Sequence, residues 1–294
     1  METEIVTECN LCGSRELAFV DKKNGIGQCG SCGFVFDMER PISAEIERYY
    51  SREGKYDAWL SKEKERDILW RRRLEVVLKY RRSGTLLDVG TGIGQFLHFA
   101  REYFEGTGTE ISTSGIEIAR RKYGLAILNG TLENLAFDKK FDVITLYHVL
   151  EHVPDPSSTI RRCKDLLNSG GFLFIAVPND VSRIRASIAR LFRKLGIPKI
   201  HDHGVMGLPK LVLDGSLPEI HLSHFTSPVL RSFLERNGFE VVEDTLDRFY
   251  AESGGARLKN DLFYLIGMSA RKLFGINIYS TILTIARKVG PPPS

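Results

Sequence analysis

The sequence predicts an α/β protein: a mostly parallel sheet with helices on both faces, preceded by a small cysteine-bearing unit. Three observations carry that expectation. Beyond Gly84, short apolar runs alternate with stretches of helical period. The first run leads directly into a glycine turn, Gly90-Thr91-Gly92-Ile93-Gly94, that opens a helix. Four of the five cysteines crowd into the first 32 residues.

Composition excludes several classes. With 43% hydrophobic and 27% charged residues, the 294-residue chain is neither disordered nor a fibrous repeat or rod. A net charge of +4 is too small to point to a partner. The first residues lack a basic start followed by an apolar stretch, so no secretory signal is expected. The charge-free run Leu273–Ala286 has 14 residues, fewer than the roughly 20 that cross a bilayer. A cytoplasmic location, where thiols stay reduced, is the expectation.

At the N-terminus, Cys9-Asn-Leu-Cys12-Gly and Cys29-Gly-Ser-Cys32-Gly are two matching turns separated by 16 residues. Each aims two thiolates at one centre, and together they supply four ligands for a closed, structural zinc site. A unit of this size cannot build a core of its own, which metal binding would remedy. A redox dithiol or two disulfides are the alternatives; the reducing compartment and the duplicated turn argue against both. Cys163, alone on a predicted helix, reads as a packing residue.

Residues 1–40 are therefore assigned to the zinc unit and 41–83 to a helical lid or linker. Residues 84–294 form the main domain, with a basic insertion at 180–222 and a helical one at 256–276. A helix is expected from Ser61 to Arg82, ended by Gly84. Strands follow at Thr85–Val89, Gly106–Ile111, Ala126–Leu128, Phe141–Leu146 and Phe172–Val177. Helices lie between them at Gln95–Arg101, Ser114–Tyr123 and Pro156–Leu167. Thr226–Asn237 opens Thr-Ser-Pro, an N-cap hydroxyl with proline in the first turn. A strand near Glu240–Asp244, an amphipathic stretch at Leu258–Phe274 and a last strand at Ser280–Ala286 complete the order.

The glycine turn lets backbone approach a ligand, but position 95 is Gln where a dinucleotide fingerprint needs glycine. Glu110, twenty residues after Gly90, ends the next strand, where a carboxylate can accept ribose hydroxyls. Asp88-Val-Gly-Thr-Gly-Ile-Gly-Gln-Phe, Thr-Gly-Thr-Glu110-Ile111-Ser, Asn-Gly-Thr131-Leu132-Glu133, Phe-Asp-Val-Ile-Thr-Leu-Tyr147-His148-Val-Leu-Glu151-His152-Val-Pro-Asp-Pro and Leu-Leu-Asn-Ser-Gly-Gly occur in order. Together they resemble class I S-adenosylmethionine-dependent methyltransferases over about residues 50–288. The resemblance implies a Rossmann-like seven-stranded sheet whose last strand is antiparallel. It also implies that Asp88, Gly90, Thr91, Gly92 and Gly94 surround the methionine part of S-adenosylmethionine. Glu110 and Ile111 would hold the ribose, Thr131, Leu132 and Glu133 border the adenine, and Tyr147 and His148 line the transfer pocket. Thr131 stands where the family often has Asp, so the adenine amino contact would fall to Glu133 or to backbone. The cysteine unit resembles zinc ribbons fused to bacterial methyltransferases of sugar and glycan pathways, and to certain ribosomal-RNA guanine methyltransferases.

Methyl transfer from a sulfonium is an in-line displacement, and a base is needed only where the acceptor must lose a proton. His148, Glu151 and His152 are the catalytic candidates, with His148 as base and Glu151 as organiser of the turn. The same HxxEH spacing also reads as an inverted zinc-hydrolase motif, against which its place at a strand end argues. Metal-assisted transfer remains open, because ubiquinone-pathway O-methyltransferases resemble the chain here with an acidic residue in place of His148. His221 and His224 are substrate-contact or helix-entry residues, and Tyr49, Tyr50 and Tyr56 are lid or packing aromatics. Arg71–Arg73, diluted by neighbouring acids, reads as structural.

Arg183, Arg185, Arg190, Arg193, Lys194 and Lys199 put +6 into residues 181–200 with no acid among them. Such a segment could clamp a phosphate-bearing acceptor, lie on anionic lipid as a peripheral contact, meet RNA, or simply be a solvated face. The expected function is methylation of a hydroxyl or carbon of a small-molecule, glycan or nucleotide-sugar acceptor. RNA methylation and a noncatalytic cofactor-fold protein are the alternatives.

Overall fold

The structure, a computed structural model, describes residues 2–52, 56–181, 208–213, 219–249, 252 and 254–290. The cysteine unit contains β1 (Thr3–Ile5), β2 (Leu17–Asp21), β3 (Ile26–Cys29), β4 (Val35–Asp37) and β5 (Glu39–Pro41). Strands β2, β3 and β4 form an antiparallel meander, and β1 pairs with β5. The meander's fourth strand comes from far along the chain: β11 (Ser223–His224) pairs antiparallel with β4. Phe34 and Phe36 are fully buried and share one core with Leu150, Ile160 and Phe225. The unit that is too small to bury itself uses the main domain's core.

Helices α1 (Ser43–Tyr50), α2 (Asp57–Ser61) and α3 (Glu63–Tyr80) follow. The sequence predicts one helix from Ser61 to Arg82 ended by Gly84. The helix stops earlier because Arg81 turns extended, with φ −145° and ψ 129°, and Gly84 already opens the next strand.

The main sheet comprises β6 (Gly84–Val89), β7 (Phe104–Glu110), β8 (Ile127–Asn129), β9 (Phe141–Tyr147), β10 (Leu167–Pro178), β12 (Phe239–Thr245) and β13 (Thr281–Lys288). Its order is β12-β13-β10-β9-β6-β7-β8. All pairs from β10 to β8 are parallel, whereas β13 runs antiparallel between β10 and β12, as the resemblance implied. Helices α4 (Gln95–Ala100), α5 (Thr113–Tyr123), α6 (Pro156–Leu166), α7 (Ser227–Arg236) and α8 (Gly254–Phe274) connect the strands. Two buried clusters on the sheet record cover on both faces, one around Leu87, Ile144 and Ile175, the other around Leu86, Val143 and Phe174.

Local chemistry explains the helix ends. Asp155 caps α6 by accepting from the N–H groups of Ser157 and Ser158, with Pro156 in the first turn. Thr226 stands at the N-cap of α7, but its hydroxyl makes no capping hydrogen bond, contrary to the sequence expectation. Gln95, which broke the dinucleotide fingerprint, is buried and ties α4 to α3: it accepts from Trp70 Nε1 at 3.1 Å and donates to Asp67 at 2.7 Å. Cys163 is fully buried in the core, as its packing role requires.

Candidate active site

The carboxyl ends of β6, β7, β9 and β10 open into a cavity of about 670 Å³. Its floor is the glycine turn. Gly90 and Gly92 have φ of 63° and 58°, and a Cβ on either would meet Val149 at 2.7 Å or Trp59 at 2.9 Å. Both glycines line the cavity, with those side chains packed where a Cβ would stand. Gly94 is not on the cavity wall, and its Cβ would meet Leu125 at 2.7 Å and Ala119 at 3.1 Å.

Glu110 is buried at the end of β7. One carboxylate oxygen accepts from Gly92 N–H at 2.7 Å, the other from the N–H groups of Ile111 and Ser112 at 2.9 Å each. Burial raises its pKa while those N–H groups work in the opposite direction. Asp88 accepts from Thr145 Oγ1 at 2.6 Å, and burial pushes it up to about 6. Ile111, Thr131, Leu132 and Glu133 line a second side of the cavity, and Glu133 accepts from Thr159 Oγ1 at 2.5 Å. Thr91 Oγ1 and the Tyr147 hydroxyl are buried without a hydrogen-bond partner among the described residues. The glycine turn, a fixed carboxylate and orphaned hydroxyls suit a polar, nucleoside-bearing ligand.

The opposite wall holds the histidines. His148 has φ 58°, the one positive value outside glycine among the described residues. Its N–H bonds Ala176 O at 2.9 Å, pinning the turn after β9 to β10. That strained backbone turns the ring so that Nδ1 lies 3.1 Å from Glu151 Oε1 and Nε2 3.8 Å from Asp247 Oδ2. Phe249 packs on the ring at 4.3 Å between centroids. Burial opposes protonation of His148, but Asp247 and Glu151 outweigh it and raise the pKa above the ordinary histidine value.

His152 faces a different set. Its Nδ1 donates to Ile220 O and lies 2.9 Å from the Tyr50 hydroxyl. Burial keeps its pKa low despite Glu151. Ligand atoms of Glu151, His152 and His221 lie within 4.8 Å of one another, near enough to share a cation. His221 Nδ1 is 3.0 Å from Asp180 Oδ2, while His224 is buried behind it and not on the cavity wall. The sequence candidates thus divide: His148, His152 and His221 line the cavity, and His224 bonds to the cysteine unit.

Sequence reading missed two residues here. Arg73 and Asp247 are both buried and form an ion pair between α3 and the segment after β12, with the guanidinium 4.5 Å over the Tyr147 ring. Among the basic residues Arg71–Arg73, Arg73 alone is buried. Its place on the stripe with Trp70 and Val77 was the available signal, since an arginine on an apolar stripe needs a buried partner. The aromatics also divide: Tyr56 and Trp59 close over Gly92 and Gly115, whereas Tyr49 packs with Ile46, Ile220 and Leu222. The basic segment 183–199, with most of the 180–222 insertion, lies outside the described residues.

The four cysteine sulfurs also converge. Sγ of Cys9 lies 3.6 Å from that of Cys32, and Cys12 3.7 Å from Cys29. Four thiolates about 2.3 Å from a tetrahedral zinc would have edges of roughly 3.8 Å, so the set fits that ion. Gly13 and Gly33, with φ of 72° and 75°, close the two turns by donating to Cys9 O and Cys29 O.

A family model described as a methyltransferase domain matches residues 62–244, more than half of the chain. The chain belongs to this methyltransferase family. Among curated relatives, a ubiquinone biosynthesis O-methyltransferase of Serratia proteamaculans is 35% identical over 130 residues, 40% of this chain and 54% of that one. The enzyme of that name from Actinobacillus pleuropneumoniae is 40% identical over 106 residues, 32% of this chain and 45% of that one. The methyltransferase thus spans about half the length of the curated relatives it matches. Among solved structures, a Thermotoga maritima S-adenosylmethionine-dependent methyltransferase aligns with a TM-score of 0.50 at 18% identity, over 83% of this chain and 99% of that one. A chain from the complex of the Haloferax volcanii Trm112 methyltransferase activator with a methyltransferase gives 0.52 at 17%, over 82% and 98%. Those two likenesses concern the fold.

Proposed function

We propose that the protein methylates a hydroxyl of a small-molecule acceptor, with His148 as the base and one structural zinc in the four-cysteine site. The observation that carries this reading is one cavity bearing the glycine turn and Glu110 on one side and His148 on the other. The names of the partial relatives favour a hydroxyl over a carbon acceptor, and a small molecule over a glycan or RNA.

S-adenosylmethionine supplies a methyl group on a sulfonium, which leaves as a neutral thioether without acid assistance. Gly90 and Gly92 admit its methionine part, and Glu110 accepts its ribose hydroxyls. Thr131, Leu132 and Glu133 border the adenine. His148 takes the acceptor proton. Glu151 holds the ring by Nδ1, and the carboxylates of Glu151 and Asp247 stabilise the imidazolium that results. Trp59 and Tyr56 keep water from the backbone of the turn.

Transfer of labelled methyl from S-adenosylmethionine to a panel of phenols, sugars and RNA tests the acceptor class. Label in phenols alone supports the reading; label in RNA alone overturns it. Calorimetry with S-adenosylmethionine separates a noncatalytic protein, and absence of binding at millimolar cofactor would remove the enzyme altogether.

A further inference from the structure

Helix α8 does not bury its apolar side. Of its 21 residues only Gly267 is buried, whereas Leu258 and Leu273 are 73% and 72% exposed. At about 100° per residue, Leu258, Leu262, Leu265, Ile266 and Leu273 fall in one stripe roughly 100° wide. Leu262, Leu265 and Ile266 are likewise at least half exposed. The opposite side, with Tyr264, Gly267 and Arg271, packs onto the domain: Gly267 approaches Tyr279, and Arg271 bonds Asp244. The helix is about 31 Å long, so the open stripe is far larger than scattered surface apolar residues would give.

Its charges say what covers it. The helix carries Arg257, Lys259, Arg271 and Lys272 against one acid, Asp261. Asp261 is engaged by Arg248 and Arg257, and Arg271 by Asp244. Lys259 and Lys272 are exposed and have no ion-pair partner among the described residues. On the helical wheel they flank the stripe, one on each side and one toward each end. Lysines in that position extend along an apolar surface with their ammonium groups at the level of lipid phosphates.

We propose that α8 is an interfacial helix that lies on an anionic lipid bilayer with its leucine stripe inserted. No described helix is long and apolar enough to cross a membrane, which leaves the helix lying on the surface. A second copy of the chain is the competing occupant, but the helix carries four cations against one acid, and pairing it with its own copy doubles that excess. An anionic surface matches those cations. Both ends of the helix lead into cavity-lining residues, Phe249 before it and Ser280 and Thr281 after it.

The test is sedimentation of the full chain with vesicles of phosphatidylcholine alone or with about 30% phosphatidylglycerol. The wild type should partition onto the anionic vesicles. Leu262→Glu with Leu265→Glu should cut that partitioning at least about tenfold. Lys259→Glu with Lys272→Glu should remove the preference for phosphatidylglycerol, and it keeps the test readable if the leucine variant fails to fold. Circular dichroism and cofactor affinity should be unchanged in the folded variants. Any of three results overturns the proposal: no partitioning of wild type, unchanged partitioning in both variants, or a wild-type dimer that the leucine variant converts to monomers.

Discussion

Nε2 of His224 lies 3.0 Å from Oδ2 of Asp37, both buried, joining a strand of the cysteine unit to the entry of α7 across 187 positions. Burial opposes a charge on this imidazole, but Asp180 and Asp37 outweigh it and lift His224 to about 9. A histidine pKa raised in the folded state stabilises fully below its unfolded value near 6.5, and the gain is lost as pH rises through about 9. The wild type should therefore lose on the order of 3 kcal/mol between pH 6.5 and 9.5, read as a falling urea midpoint. Asp37→Asn should be less stable at pH 6.5 and flatter above it. Equal midpoints for wild type at the two pH values would sink the assignment.

The cysteine unit should hold one zinc per chain by elemental analysis. Because Phe34 and Phe36 share the core with Phe225, its loss should reach beyond residue 40. Cys29→Ser should release the metal, expose the N-terminus to protease and lower the melting temperature of the whole chain, given a contribution of about 10–16 kcal/mol in zinc-folded units. A wild type that folds cooperatively without metal would refute the zinc site.

The contrast between these sites shows what a sequence can convey. The sheet was legible because a parallel strand buried on both faces is a continuous apolar run, and the glycine turn with Glu110 because its parts lie within one βα unit. Arg73 meets Asp247 across 174 positions, and no local pattern pairs them. Strand β11, two residues long, has no period to detect. For α8 the amphipathic pattern was plain, yet periodicity tells which residues share a face and not whether that face is covered.

His148→Ala should keep cofactor affinity and lower turnover at least about tenfold. As a base, His148 must be neutral, and its pKa is raised above 6.5, so turnover should climb with pH through a midpoint above that value. Asp247→Asn removes one of the two carboxylates that raise it and should move the climbing limb toward acid. The variant also leaves Arg73 without its partner, so a thermal melt must accompany the assay. A limb that stays in place in a folded Asp247→Asn protein would count against His148 as the titrating base.

Glu110 offers a sharper test of the cofactor wall, because its two oxygens already serve three N–H groups of the turn and of the α5 entry. A Glu110→Gln side chain has the same size but only one accepting oxygen. Its amide NH₂ must face either Gly92 N–H or the Ile111 and Ser112 pair, leaving at least one buried donor unmet at a cost of about 1–3 kcal/mol. The turn that carries Gly92 loosens, and the ribose hydroxyls lose a charged acceptor. Both effects act on binding and neither touches His148. Cofactor affinity should fall by roughly tenfold to a hundredfold, while turnover at saturating cofactor stays within about threefold of wild type. A variant with wild-type affinity would show that Glu110 merely closes the turn; one with wild-type affinity and lost turnover would move the residue to the chemical step.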